Sequence, residues 1–169
     1  MSSCAEHLPG EIPTAIFQFL ETIGIPVSRE AIAGETFLPG LKIAGGVLLV
    51  DEDRLLYPGD ILHEAGHLAV MTRAERAACD GNAGPDAGAE MAAIAWSYAA
   101  ALAIGLDPHV VFHAEGYKNG GAQLVESFAE GRYIGAPLLA WYGLTHDPLH
   151  GGVLRSGDGV YPKMLRWVR

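Results

Sequence analysis

The chain has 169 residues, half of them apolar and only 18% charged, which is the composition of one globular domain with its own core and not of a disordered chain. Its formal charge is −9 and its pI is near 5.1; Lys and Arg are scattered apart from the closing PKMLRWVR, so no nucleic acid is expected as a partner, because a phosphate backbone needs clustered cations. Two cysteines, Cys4 and Cys79, are fewer than a secreted domain of this kind usually carries in its even-numbered frameworks.

The opening MSSCAEHLPGEIP has no basic start followed by an apolar run, so no signal peptide is expected. EIPTAIFQFLETIG (11–24) then spaces Ile12, Ile16, Phe19, Leu20 and Ile23 as a helix does, with Gly24 and Pro26 to end it. SREAIAG reads as a short helix capped by Ser28. In GGVLLVDEDRLLYPG the apolar runs Val47–Val50 and Leu55–Tyr57 flank Asp51-Glu52-Asp53, the pattern of a β-hairpin or two short strands. Pro58 and Gly59 break it, and Asp60 is a fitting N-cap for a helix to about Arg73. Residues 78–89, ACDGNAGPDAGA, read as a loop. A second long helix follows over about 88–105. Its apolar stretch MAAIAWSYAAALAIG is shorter than the ~18–20 residues of a membrane span and is introduced by Glu90, so no membrane partner is expected. GAQLVESFAEG and GAPLLAWYGL read as two more helices, 146–162 as loop, and KMLRWVR as a short final helix, with Tyr161 and Trp167 packing the tail onto the core. The sum is an α+β domain, mostly helical with one small sheet, in a cytoplasmic protein.

The chemistry is concentrated in YPGDILHEAGHLAVM. Residues four apart share a helix face, so His63 and His67 can direct their imidazoles at one ion. Glu64, turned about 100° from His63, is badly placed as a third ligand but well placed to hold a water at that ion. Zinc lowers the pKa of such a water towards ~7 and the carboxylate takes the proton. The bland alternative is two surface histidines on a core helix. Gly66, inside the motif, costs the helix ~1 kcal/mol relative to Ala, which points to close approach of another backbone. Position 73 is Arg73, so a third histidine six residues on is absent. Glu90 is the best third ligand. It is the one charged residue at the start of an apolar helix, and a carboxylate there needs a partner. Its bland alternative is a Glu favoured in the first turn by the helix dipole.

HExxH on one helix with a glutamate on the next resembles the gluzincin metallopeptidases, whose Glu-x-x-Ala pattern is matched by EMAA, with Ala93. The nearer resemblance is to the ImmA/IrrE-type family with its minimal zincin-like domain, in which a short hairpin precedes a HELGH-like helix. GGVLLVDEDRLLYPGDILHEAGHLAV and EMAAIAWSYAAALAIGLDP fill those places, over about 38–108 of a single 1–169 domain. A further helical part, 109–169, lies outside the resemblance. The resemblance implies Zn2+ held by His63, His67 and Glu90, with Glu64 as general base. Four residues after the glutamate these enzymes often carry Asp or Asn, which can support a zinc-bound histidine; this chain has Ile94.

Weaker signals remain. His109 and His113, four apart with Glu115 beyond, could form a second metal pair or be ordinary helix-face histidines. Tyr142, His146 or His150 could serve a developing oxyanion. DGNAGPD resembles a calcium loop in composition only, and Cys4 with His7 is too little for a site. The reading is a zinc-dependent hydrolase acting on a peptide or protein substrate. The alternatives are a non-catalytic metal-binding regulatory or interaction domain that retains the zincin frame, and a helical domain without metal.

Overall fold

The computed structural model describes residues 11–81, 86–150 and 152–169. Cys4, His7 and the opening stretch lie outside the described residues, as do positions 82–85 of the DGNAGPD loop. Helix α1, Glu11–Ile23, buries Ile16 and Leu20 completely. Gly24, at φ 80°, ends it, and the Ile25 amide donates back to the Leu20 carbonyl at 3.0 Å, as a glycine C-cap requires.

Ser28 caps no helix. It lies in strand β1, Val27–Arg29, which runs parallel to β3, Val47–Val50. The sheet takes the backbone groups that a helix there would need. The partner of β3 in the hairpin is β2, Leu41–Ala44, and not Leu55–Tyr57. Gly45 and Gly46, both at positive φ, make the tight turn whose twist suits a two-residue hairpin. In β2, Leu41 and Ile43 are buried while Lys42 is exposed, so the period-2 signal was present in LKIA. Residues 51–57 instead fold as a turn. Buried Asp51 accepts from the Ile32 amide at 2.9 Å, and Arg54 donates to the Ile32 and Gly34 carbonyls.

Helix α2, Gly59–Val70, starts one residue before Asp60 and ends before Arg73. Pro58, at φ −57°, is already in helical conformation, so Asp60 falls inside the first turn and is buried there. Arg73 opens a separate helix, α3, Arg73–Ala77, behind a Thr72–Glu75 capping box. The carbonyls at the end of α2 are met from outside the helix: Arg76 donates to Leu68 and Met71, and Arg169 to Ala69 and Val70.

Helix α4, Ala87–Ala103, is capped by Asp86 and buries ten consecutive residues from Ala92 to Ala101. It packs along α2. At Gly66 the two backbones meet: a Cβ there would lie 2.9 Å from the Ala93 carbonyl oxygen and 3.2 Å from the Trp96 ring. The close approach expected at Gly66 is therefore present, and alanines on α4 allow it.

Beyond α4 lie α5, Pro108–Val111, a 3-10 turn at Tyr117–Asn119, α6, Gly121–Ala129, and α7, Ala136–Trp141. The 146–162 region is not all loop, since β4, Leu149–His150, pairs with β5, Val153–Leu154. Residues 163–169 form no helix. Their amides donate to other elements, Leu165 to the Leu144 carbonyl and Arg169 to that of Ala69. The tail does pack on the core: Trp167 stacks edge-on with Phe19 and Trp96, and the Tyr161 hydroxyl donates to the Ala95 carbonyl at 2.8 Å. The architecture is α+β, mostly helical, with a three-stranded sheet in the order β1-β3-β2 ahead of α2. Among the described residues no helix is long and apolar enough to cross a membrane.

Candidate metal centre

One turn of α2 separates His63 from His67, and both are buried. Their Nε2 atoms face each other at 3.1 Å. Glu90, in the first turn of α4, brings Oε1 to 3.4 Å from His63 Nε2 and Oε2 to 3.1 Å from His67 Nε2. A tetrahedral ion with bonds of ~2.0–2.1 Å would place its ligand atoms ~3.3 Å apart; the two Nε2 atoms lie near that separation, and each faces a different Glu90 oxygen at a similar one. The close packing at Gly66 sets this distance, because it fixes α4 against α2. These three residues could hold a metal ion. The His63 and His67 imidazoles, within hydrogen-bonding reach, hold the Glu90 carboxyl well below the usual carboxylate range.

Glu64 lines the same cavity, of about 680 Å³, as the three candidate ligands. Burial pushes its carboxyl up, with His67 and His63 opposing. A carboxylate with a raised pKa is a better proton acceptor near neutral pH than an ordinary surface glutamate.

The cavity also contains Tyr117, to which no sequence motif pointed, and Asp60 and His113, which the sequence suggested for other roles. The Tyr117 hydroxyl lies 2.9 Å from His63 Nδ1, with the two rings nearly perpendicular. Burial, with Asp60, Glu90 and Glu64 nearby, pushes that phenol well above its usual range, so it stays protonated. Asp60 Oδ1 lies 3.0 Å from His113 Nε2, and the His113 ring stacks on Tyr57 at 3.9 Å. Burial raises the Asp60 carboxyl, and the His113 hydrogen bond opposes this. In the sequence, the glycines of EGYKNGG mark a turn around Tyr117 but say nothing of what it meets.

The structure does not bring His109 and His113 together as a metal pair. Helix α5 ends at Val111, between them; exposed His109 pairs with Asp107 at 2.8 Å, while His113 turns to Asp60. Glu115 lines the main cavity. Tyr142, by contrast, lies under the Arg169 guanidinium, and His146 bridges to Val160 through its backbone. His150 sits in β4. The residues lining the cavity include Tyr117 and none of these three. Ile94 is buried and offers no polar atom, and His67 Nδ1 has no hydrogen-bond partner among the described residues.

Compared with models of known protein families, with curated proteins and with solved structures, the chain matches none.

Proposed function

We propose that the chain is a cytoplasmic zinc-dependent hydrolase of the gluzincin kind, acting on peptide or protein substrates. The observation that carries this reading is the convergence of His63, His67 and Glu90 beside Glu64 in one open cavity. A donor set of two imidazoles and one carboxylate suits zinc with a position left for chemistry. When bound, zinc supplies a Lewis acid that polarises a carbonyl and makes water acidic at neutral pH. Glu64 accepts the proton of the attacking water and returns it to the leaving nitrogen. The cavity is large enough for part of a peptide, since ligand pockets commonly span ~300–1,000 Å³. Placement in the cytoplasm rests on the low cysteine count.

The test is Glu64→Gln, which keeps size and hydrogen bonding but removes the basic carboxylate. Wild type purified without added zinc should carry one equivalent and cleave members of a peptide panel. The variant should keep its zinc and lose ~10²–10⁴-fold in turnover. Equal activity of the two proteins on one substrate would remove Glu64 from the role of base; loss of zinc would make it a ligand. A second reading is a regulatory metal-binding domain that keeps this frame without turnover. His67 Nδ1, without a partner among the described residues, favours it, because such partners normally tune a metal ligand. A zinc-loaded wild type that cleaves nothing across the panel would select it.

A further inference from the structure

His63 can offer Nε2 to an ion only if its proton sits on Nδ1. That proton needs an acceptor, because the ring is buried. The atom placed to accept it is the Tyr117 hydroxyl oxygen, 2.9 Å away. Tyr117 lines the same cavity and reaches this position on a segment 54 residues along the chain. Two features of that segment are unusual. Tyr117 and Lys118 both sit at positive φ, 52° and 53°, a conformation uncommon outside glycine and found where surrounding structure imposes it. Gly116, just before them, lies against His113, where a Cβ would be 3.1 Å from the imidazole. The Tyr117 ring also packs against Phe112 at 5.1 Å. The loop is therefore shaped so that this ring stands edge-on to His63.

The geometry points to Tyr117 as a positioning residue that accepts the Nδ1–H of His63 and so holds its Nε2 lone pair towards His67 and Glu90. The inference rests on the metal reading given above. The consequence is an asymmetry between the two histidines. His63 is fixed in the metal-ready tautomer before any ion arrives. His67 is not: its Nδ1 has no partner among the described residues, and its Nε2 has His63 Nε2 and Glu90 Oε2 both at 3.1 Å. In the metal-free protein His67 carries its proton on Nε2, donating across the site, and must give that tautomer up when an ion binds. Because Tyr117 accepts from His63, its own O–H remains free to donate into the cavity it lines.

The test uses the full chain and ¹⁵N-labelled histidine, with zinc as the metal. In metal-free wild type, imidazole ¹⁵N shifts should show His63 protonated on Nδ1 and His67 on Nε2. Tyr117→Phe keeps the ring and removes the acceptor. It should mix the two His63 tautomers in the metal-free protein and weaken zinc binding, measured by chelator competition, by ~10–100-fold, the usual effect of removing such a partner. A purely structural role for Tyr117 would leave the His63 tautomer unchanged. The inference is overturned by a metal-free wild type with His63 protonated on Nε2, or by a variant whose zinc affinity stays within about threefold of wild type. If Tyr117→Phe fails to fold, the wild-type spectrum alone decides the tautomer. If wild type takes up no zinc, the metal reading falls and the positioning role falls with it. The spectrum then reports the hydrogen bond alone.

Discussion

Gly66→Ala places a single methyl group between the helix that carries the two histidines and the helix that carries Glu90. In isolation it should stabilise α2 by ~1 kcal/mol, the difference in helix propensity. The contacts decide otherwise. The new Cβ would sit 2.9 Å from the Ala93 carbonyl oxygen, 3.3 Å from Ala93 Cα and 3.2 Å from the Trp96 ring. Carbon contacts settle at ~3.5–4.0 Å, and two of these three atoms belong to a backbone that cannot rotate away. Relief requires α4 to move from α2 by roughly 0.5 Å, and overpacking of this kind costs ~1–3 kcal/mol. The balance is a net loss of about 1 kcal/mol, or ~2–4 °C in melting temperature for a chain this long. The same displacement carries Glu90 away from His63 and His67, beyond the ~0.5 Å tolerance of a preorganised site. Zinc affinity should therefore fall at least tenfold, more than the stability change alone would suggest. Thermal melts of metal-free protein and chelator competition measure the two effects. A Gly66→Ala protein that is more stable than wild type, with unchanged zinc affinity, would refute the argument that the helix contact sets the ligand spacing.

His63→Ala and His67→Ala should each reduce zinc affinity strongly and Glu90→Gln should weaken it, whereas His109→Ala should leave it intact; competition against a chromogenic chelator orders the four. Zinc at a hundred times its Kd should stabilise the fold by ~2.7 kcal/mol, raising the melting temperature by ~5–10 °C, and no rise would argue against a native site. Tyr161→Phe removes the hydrogen bond that the Tyr161 hydroxyl donates to the Ala95 carbonyl of α4 and should cost ~1 kcal/mol in denaturant titration. Thr72→Ala removes the cap of α3 and should cost about the same, without altering zinc affinity.

What the sequence made legible was local. Two histidines four apart, with a glutamate opening the next helix, are patterns within one or two turns, and the structure places those side chains around one point. Gly66 was legible too, since a glycine inside a helix needs a reason. The misassignments came where a competing partner lay far along the chain. Ser28 looks like a helix cap until Leu48–Val50 is available to pair with its strand. Asp60 looks like another until Pro58 starts the helix and His113 arrives 53 residues later. Tyr117 carried no signal at all. A tyrosine in a glycine-rich turn is ordinary, and its role depends on contact with His63 that only the folded chain creates. The hairpin partner was a different kind of miss, because Leu41–Ala44 alternates in and out as a strand should and ends on Gly45-Gly46.

The sealing of the end of α2 by Arg76 and Arg169 bears on when the site becomes complete during folding. All three candidate ligands are present once residue 90 has been made, but the Arg169 contact with Val70 closes a span of 99 residues, and the indole of Trp96 reaches the Trp167 carbonyl across 71. Contacts of such high sequence separation form late, because the entropy of loop closure is lost before they give anything back. A nascent chain not yet extended to Arg169 would hold His67 one turn from a fraying helix end, with the Ala69 and Val70 carbonyls open to water. Ordering of the helix that carries the two histidines is thereby timed to arrival of residues 167–169.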